Sequence, residues 1–480
     1  MDQTTDYEAV IGLEVHIQLQ TNSKAFCSDS TEFGSSPNTQ TSIVSLAHPG
    51  TLPRPNKKQV EYAIRLGLAL GCEINHNSYF DRKHYFYADL PKGFQTTQDG
   101  APICIGGKVT FWVEGEMKSI RLNHIHMEED AGKSLHEMDS DFSFIDLNRA
   151  GIPLLEMVTE PDFRSGEEVY CFINDLRRLV RFLEISDGNM EEGSLRCDCN
   201  ISVRPKGQST LNARCEVKNI NSARFAKRAI EYEIERQTGM MEKGHKIQQE
   251  TREFLTDQGV TQALRSKEDA HDYRYFPEPD ILPIKITTAQ LDEIRSSLPT
   301  LPNEFRRIFL EEFDLTFDDS EIIIENLSRA KYFKSFIKRN PSIPPKLAAN
   351  FFINKWYPAE DAGEISTAFE EKYITQFLEL IEAGLIAASI AYQRLWPELI
   401  KKPQDVLPLC ERLNLVQSND QDEIENLAKE VLVENPDQLE KYKNGKKGIL
   451  TFFMGQVMRK SKGKANPEMA RKTLEKLLGD

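Results

Sequence analysis

No stretch of the sequence has the roughly 20 consecutive apolar residues of a membrane span, and its first residues, MDQTTDYEAV, contain neither the basic nor the apolar segment of an export signal. The chain is therefore expected to act in the cytoplasm, without a membrane partner. Cysteine is sparse and irregular. Its eight positions, 27, 72, 104, 171, 197, 199, 215 and 410, lack the spacing of a disulfide framework and suit free thiols in a reducing compartment. With 23 Pro and 26 Gly in 480 residues, and no internal repeat, fibrous and low-complexity architectures are excluded. Basic charge is also in short supply overall: a net charge of −15 rules out a surface that is uniformly a nucleic-acid sleeve. Its distribution is uneven, because residues 436–480 carry eleven Lys or Arg against five Asp or Glu, leaving −21 for the rest.

What is present is core material, 39% hydrophobic residues, in a chain long enough for two to four domains. YEAVIGLEVHIQLQ at 7–20 alternates Val15, Ile17 and Leu19 with Glu14, His16, Gln18 and Gln20, the period of a half-buried strand. Further strands are expected at 108–113, 119–126 and 200–204, and helices at 57–70 and 167–184. Helices and strands do not alternate regularly, so residues 1–297 read as an α+β domain with a large antiparallel sheet. After LPTLPNEF the strand signals nearly vanish. Residues 298–407 read as an all-α domain and 408–480 as a small all-α tail. In the tail, Asn435 and Asn466 each stand before a Pro as N-cap candidates, and Leu474, Leu477 and Leu478 follow at helical spacing.

Glu14 and His16, two apart on a strand, project from one face about 7 Å apart. HIHMEEDAGK sets Glu128, Glu129 and Asp130 beside His124 and His126, and PLLEM places Glu156 in an apolar stretch where, if buried, it needs a partner. Carboxylates with an imidazole suit a hard cation such as Mg²⁺ or Mn²⁺, which serves phosphoryl transfer. The alternative is that Glu14 and His16 are the wet side of a strand and 128–130 a solvated acidic turn. Gly132-Lys133-Ser134 is not the end of a P-loop, since Met127 stands where that motif needs Gly.

FDRKHYFYADLPKGFQ at 80–95 mixes Arg82, Lys83 and Lys92 with five aromatics. It suits a grip on a nucleotide or an RNA 3′ end, or a loop packed by its own rings. Cys197 and Cys199 lack the second ligand pair of a zinc site and read as strand residues. In the tail, Arg459, Lys460, Lys462 and Lys464 suit phosphate contacts or an ordinary helix end.

Taken together, IGLEVHIQLQTNSKAFC, FDRKHYFYADLPKGFQ, HMEEDAGKSLH, DLNRAGIPLLEMVTEPDFRS, MEEGSLRCD, EVKNINS and DYRYFPEPD resemble the B subunits of the glutamyl/aspartyl-tRNA amidotransferases. GILTFFMGQVMRKSKGKANPEM resembles that family's C-terminal domain. The resemblance implies an ATP- and Mg²⁺-dependent ligase subunit that phosphorylates the side chain of misattached Glu or Asp on tRNA(Gln) or tRNA(Asn). Ammonia then arrives from an amidase (A) subunit, in a heterotrimer completed by a small C subunit. It also implies metal ligation by Glu14, His16, Glu129 and Glu156, and contacts to ATP or substrate by Arg82, Lys83, Tyr85, Arg149, Asp198, Lys218 and Asn219. Contacts to tRNA are implied for Lys446, Lys447, Arg459, Lys460, Lys462 and Lys464. Where many members resemble a four-cysteine zinc ribbon, this sequence keeps Cys27 but has Asp29, Ser42 and Ser45, so no structural zinc is expected. His84 and Ala88 replace the Asn and Pro usual in the family. Two rival readings are a tRNA-binding scaffold without catalysis and a metal-dependent hydrolase.

Overall fold

The computed structural model describes residues 6–135, 142–266, 273–416, 421–461 and 465–479, in two compact units divided after Phe305. The division falls at the last residue of LPTLPNEF, whereas the expected boundary stands before its first.

The first unit is built on one ten-stranded sheet. Its long members are β1 (Tyr7–Gln18), β4 (Lys108–Val113), β5 (Glu116–Glu129), β6 (Pro153–Thr159), β7 (Leu195–Pro205), β8 (Cys215–Ile220), β9 (Glu250–Leu255) and β10 (Val260–Ser266). A smaller sheet holds β2 (Asp81–His84), β3 (Phe94–Thr97) and β11 (Phe276–Pro277). In the large sheet the order β10-β9-β8-β7-β1-β6-β5 puts β1 at the centre, and β4 pairs with β5. Pairing is antiparallel except between β8 and β9, which are parallel. The intervening helix α3 (Ala223–Glu242) supplies the long crossover that a parallel pair requires.

Alternation along the strands sorts the side chains. Leu13, Val15 and Ile17 of β1, Met157 of β6, and Cys197, Cys199 and Ile201 of β7 are all buried in one apolar core. Helices α1 (Lys57–Ala69), α2 (Gly166–Phe182) and α3 contribute to the same core. The α2 helix forms where it does because Ser165 accepts a hydrogen bond from the Glu168 N–H at its start, and Val169, Phe172, Ile173, Leu176 and Val180 recur at helical spacing. Each such buried side chain contributes about 1.5–3 kcal/mol. Cys197 and Cys199 are strand residues, as expected, and their thiols belong to this core. The residues between the apolar ones form the opposite, polar face, and the register aligns His16 with Glu156 on one side and with Arg196 on the other.

The second unit is helical. Near its middle, two tryptophan-proline neighbourhoods each carry a wider turn: the Tyr357 N–H reaches Phe352 O and the Trp396 N–H reaches Ala391 O. Pro358 and Pro397, lacking N–H groups, follow directly and break the usual ladder. The tail has its own apolar cluster, drawn from α4 (Gln421–Glu434), α5 (Pro436–Lys443), α6 (Leu450–Lys460) and α7 (Pro467–Leu478). Leu474 is buried in it, and Leu477 and Leu478 pack against it. Asn466 caps α7 by accepting from the Glu468 and Met469 N–H groups. Asn435 corrects the matching expectation: Pro436 does open α5, but the Asn435 amide turns back to donate to Val431 O, satisfying the end of the preceding helix instead.

Candidate active site

The polar face of the large sheet concentrates imidazoles and carboxylates around the centre of β1. His16 Nε2 lies 3.3 Å from Glu156 Oε2 and 3.6 Å from Glu128 Oε1. His126 Nε2 approaches the same pair from β5, 3.4 Å from Glu156 Oε2 and 3.7 Å from Glu128 Oε2. His124 extends the row, with Nε2 3.0 Å from His126 Nδ1. His16, Glu128 and Glu156 together offer ligand atoms that all lie within 4.8 Å of one another.

Electrostatics follow from this enclosure. Burial opposes protonation of His16, but its hydrogen bond to Glu156 and the charges of Glu156 and Glu128 outweigh it and raise the ring to about 9. Burial likewise opposes protonation of His126, and hydrogen bonds to Glu128 and Glu156 lift it to about 10. For Glu156, burial opposes ionisation, yet the two histidines hold the carboxyl well below the usual range. Protonated imidazoles thus supply positive charge that the carboxylates demand.

Glu14, two residues from His16, belongs to a neighbouring group with Asp198 and Glu216, again within 4.8 Å. Burial first, then the charges of Glu156, Glu216 and Asp198, raise the Glu14 carboxyl. Lys218 lies 3.5 Å from Asp198 and 3.1 Å from Glu216. Asn200 donates through Nδ2 to Glu14 at 3.0 Å, while its Oδ1 is buried with no hydrogen-bond partner.

The expected ligand Glu129 is not in either group. Successive strand residues project to opposite sides, so Glu128 reaches the histidines while Glu129 pairs with Lys92 and accepts from the Thr96 N–H at 2.9 Å. The carboxylate in contact with His16 and Glu156 is that of Glu128.

Other expected contact residues are dispersed. Arg82 is engaged by Glu278 at 2.7 and 2.8 Å and by Asp280 at 3.2 Å, tying β2 to the segment after β11. Lys83 Nζ lies 4.8 Å from the Tyr273 ring centre, and Tyr85 packs edge-on to Tyr87 and Tyr273. Arg149 donates to the carbonyls of Ala131 and Gly132. The Asn219 side chain, Lys462 and Lys464 lie outside the described residues. Lys460 is held by Glu430 at 2.9 Å and Glu434 at 2.6 Å, and Lys447 lies 4.8 Å from the Tyr442 ring centre.

The segment expected to lack zinc is closed by hydrogen bonds. Asp29 accepts from the Ser42 N–H at 2.9 Å and from the Ser45 hydroxyl, and it interacts with the Cys27 thiol. Two of the replacements, Ser42 and Ser45, and the remaining cysteine thus converge on the carboxylate of the third, Asp29. Sequence reasoning missed Glu216, Asn200 and Gln95, whose amide donates to Glu128 at 3.0 Å. For Glu216 a signal existed, since EVKNI places it two residues before Lys218 on a strand.

Two family models match the chain. Residues 9–292 match the GatB/GatE catalytic domain, and residues 331–478 match the GatB domain. The chain is 44% identical over 476 residues to the B subunit of the aspartyl/glutamyl-tRNA(Asn/Gln) amidotransferase from Persephonella marina, covering 98% of this chain and all (100%) of that one. The protein of the same name from Geotalea uraniireducens is 46% identical over 487 residues, covering 98% of this chain and 99% of its own. The Thermoanaerobacter pseudethanolicus protein of that name is 44% identical over 477 residues, with 98% and 99% covered.

Proposed function

This chain belongs to the family of aspartyl/glutamyl-tRNA(Asn/Gln) amidotransferase B subunits, and from that premise we propose that it activates the side-chain carboxylate of Glu or Asp misattached to tRNA(Gln) or tRNA(Asn) for conversion to the amide. A carboxylate is a poor electrophile toward ammonia at neutral pH, so activation must come first. One carboxylate oxygen attacks the γ-phosphorus of ATP, the bond to the β–γ bridging oxygen breaks, and ADP leaves. Ammonia then attacks the acyl carbon, the bond to the phosphorylated oxygen breaks, and orthophosphate leaves as the nitrogen sheds its proton.

The observation that carries this reading is the convergence of His16, Glu128 and Glu156 on the polar face of the sheet, with Glu14 beside them. This donor set fits a hard divalent cation: several carboxylate oxygens, one or two imidazoles, and the unpartnered Oδ1 of Asn200 within the same face. Glu14, His16 and Glu156, with Glu128, would hold Mg²⁺; Glu129 would join only on leaving Lys92. When bound, Mg²⁺ supplies positive charge against the developing charge of the phosphate oxygens. The protein's own share is to orient these carboxylates and, through His126 and His16, to hold Glu156 ionised. Lys218 sits on that face as a fixed cation for an anionic substrate.

We assign the basic tail, through Lys446, Lys447 and Arg459 with Lys462 and Lys464, to tRNA phosphates. The relatives' names mark them as subunits of a larger assembly, and to that assembly we assign an amidase subunit and a small third subunit, acting in the cytoplasm. Among the described residues no helix is long and apolar enough to cross a membrane. Family membership leaves the inactive-scaffold and hydrolase readings without support. The test is ATP cleavage by the purified complex with and without misacylated tRNA. We expect cleavage only with the charged tRNA, and its loss in Glu156→Gln with tRNA affinity retained. Equal cleavage with free tRNA, or turnover of simple phosphate esters, would overturn the reading.

A further inference from the structure

Two segments of the first unit bring aromatic rings and cations together around an open cavity of about 690 Å³, lined by residues 83–87 together with Tyr273 and Arg274. Phe86 is 85% and Tyr87 58% exposed, an uncommon outlay of ring surface to water. These rings are not loose. The edge of Phe86 lies over Gly93, where φ is +69° and an added Cβ would come within 3.1 Å of the ring. Tyr87 packs against Tyr85, Tyr85 against Tyr273, and Tyr273 against Tyr275. On the adjoining strands His84 stacks on Phe276 with ring centres 4.9 Å apart. Lys83 and Arg274 add positive charge to a chain that is acidic overall.

The platform also adjoins the candidate active site. The Tyr85 hydroxyl is raised by burial and then by the charges of Glu128, Glu129 and Asp130; that of Tyr275 by burial and then by Asp99, Tyr273, Glu156 and Glu128. Lys83 of the platform stands opposite Gln95 in the small sheet, and the Gln95 amide donates to Glu128 of the cluster at 3.0 Å. Outward-facing rings flanked by cations are the surface that binds unpaired bases, by stacking on the π-face and attracting the backbone. A cavity of this size holds one or two nucleotides.

We propose that the 83–87 and 273–276 segments form a stacking platform for the unpaired 3′-terminal nucleotides of tRNA, delivering the attached amino acid to the His16–Glu156 cluster. This rests on the proposed function above. A purine ring is also offered by ATP, so the experiment separates the two sources. For the purified complex, the dissociation constants of full-length tRNA and of the same tRNA lacking its 3′-terminal nucleotides are measured, alongside the KM for ATP in the presence of full-length misacylated tRNA. Wild type is compared with Phe86→Trp and with the double variant Phe86→Ala/Tyr87→Ala, whose exposed side chains leave the core intact.

Truncating the tRNA should weaken wild-type binding about tenfold or more, weaken the double variant's binding little, and leave Phe86→Trp close to wild type, with ATP KM unchanged throughout. An equal penalty for truncation in wild type and the double variant would overturn the platform while leaving the tRNA-dependent function standing. A raised KM for ATP with unchanged tRNA binding would overturn the RNA assignment in favour of the adenine of ATP. Failure of the wild-type protein to bind any tRNA would remove the functional reading and the platform together.

Discussion

His16 and Glu156 face one another across the centre of the sheet, aligned in register on β1 and β6, with Nε2 3.3 Å from Oε2. The contact makes the protonation of one group part of the stability of the other, and it places a nitrogen donor and an oxygen donor side by side.

A first expectation concerns pH in the metal-free protein. His16 and His126 are raised to about 9 and about 10, above the roughly 6.5 of an unfolded histidine. Their contribution to stability is fully present below pH about 6.5 and is lost as pH rises through the folded values. Urea unfolding in the presence of a chelator should therefore show stability declining from neutral pH toward pH 10. His16→Asn/His126→Asn should flatten that decline. A profile unchanged by these substitutions would refute the pairing.

The same protons compete with a cation. Because a coordinating imidazole must be neutral, binding of Mn²⁺ should tighten with pH below about 9, the value to which His16 is raised. If one proton is released, the gain is about tenfold per pH unit. Calorimetry in buffers of different ionisation enthalpy counts the protons, and release of none would remove His16 from the ligand set.

Glu128 and Glu129 make a sharper contrast. Glu128→Ala should weaken Mn²⁺ binding at least about tenfold. Glu129→Ala should instead strand the largely buried Lys92 ammonium and destabilise the fold by about 3 kcal/mol, with Mn²⁺ affinity nearly unchanged. Lost Mn²⁺ binding in Glu129→Ala at wild-type stability would return Glu129 to the site.

At the 27–45 segment, elemental analysis of protein expressed with added zinc should find less than stoichiometric metal, since Asp29, Ser42 and Ser45 stand where thiolates would be needed. Asp29→Ala removes the acceptor shared by the Ser42 N–H and the Ser45 hydroxyl and should cost about 1–3 kcal/mol. Unchanged thermal stability would mean that this turn is held by other contacts.

In the tail, neutralising Lys446, Lys447 and Arg459 should flatten the dependence of log tRNA affinity on log salt by about 0.7–0.9 for each phosphate left without its cation. Lys460 is already engaged by Glu430 and Glu434, so Lys460→Ala should change the slope little. Salt titrations of the single and triple variants distinguish the two outcomes.

Local order was written in the residue pattern. The alternation in EVHIQL determined that β1 has an apolar side and a polar side, and the spacing of Val169, Phe172, Ile173, Leu176 and Val180 determined α2, because burial enforces periods of 2 and 3.6 wherever one face meets a core. Those patterns also put Glu14 and His16 on one face whatever the surrounding fold. Which carboxylate joins them was a different matter. Glu128 and Glu129 are identical in chemistry and adjacent in sequence, and only the register of β5 against β6, with Lys92 drawn to one of the two, sends Glu128 to the histidines and Glu129 away. The same holds for Glu216 and Asn200, which reach Glu14 through the pairing of β7 with β1 and β8. Contacts between residues far apart in the chain depend on strand order and register, and these are set by the packing of the whole sheet.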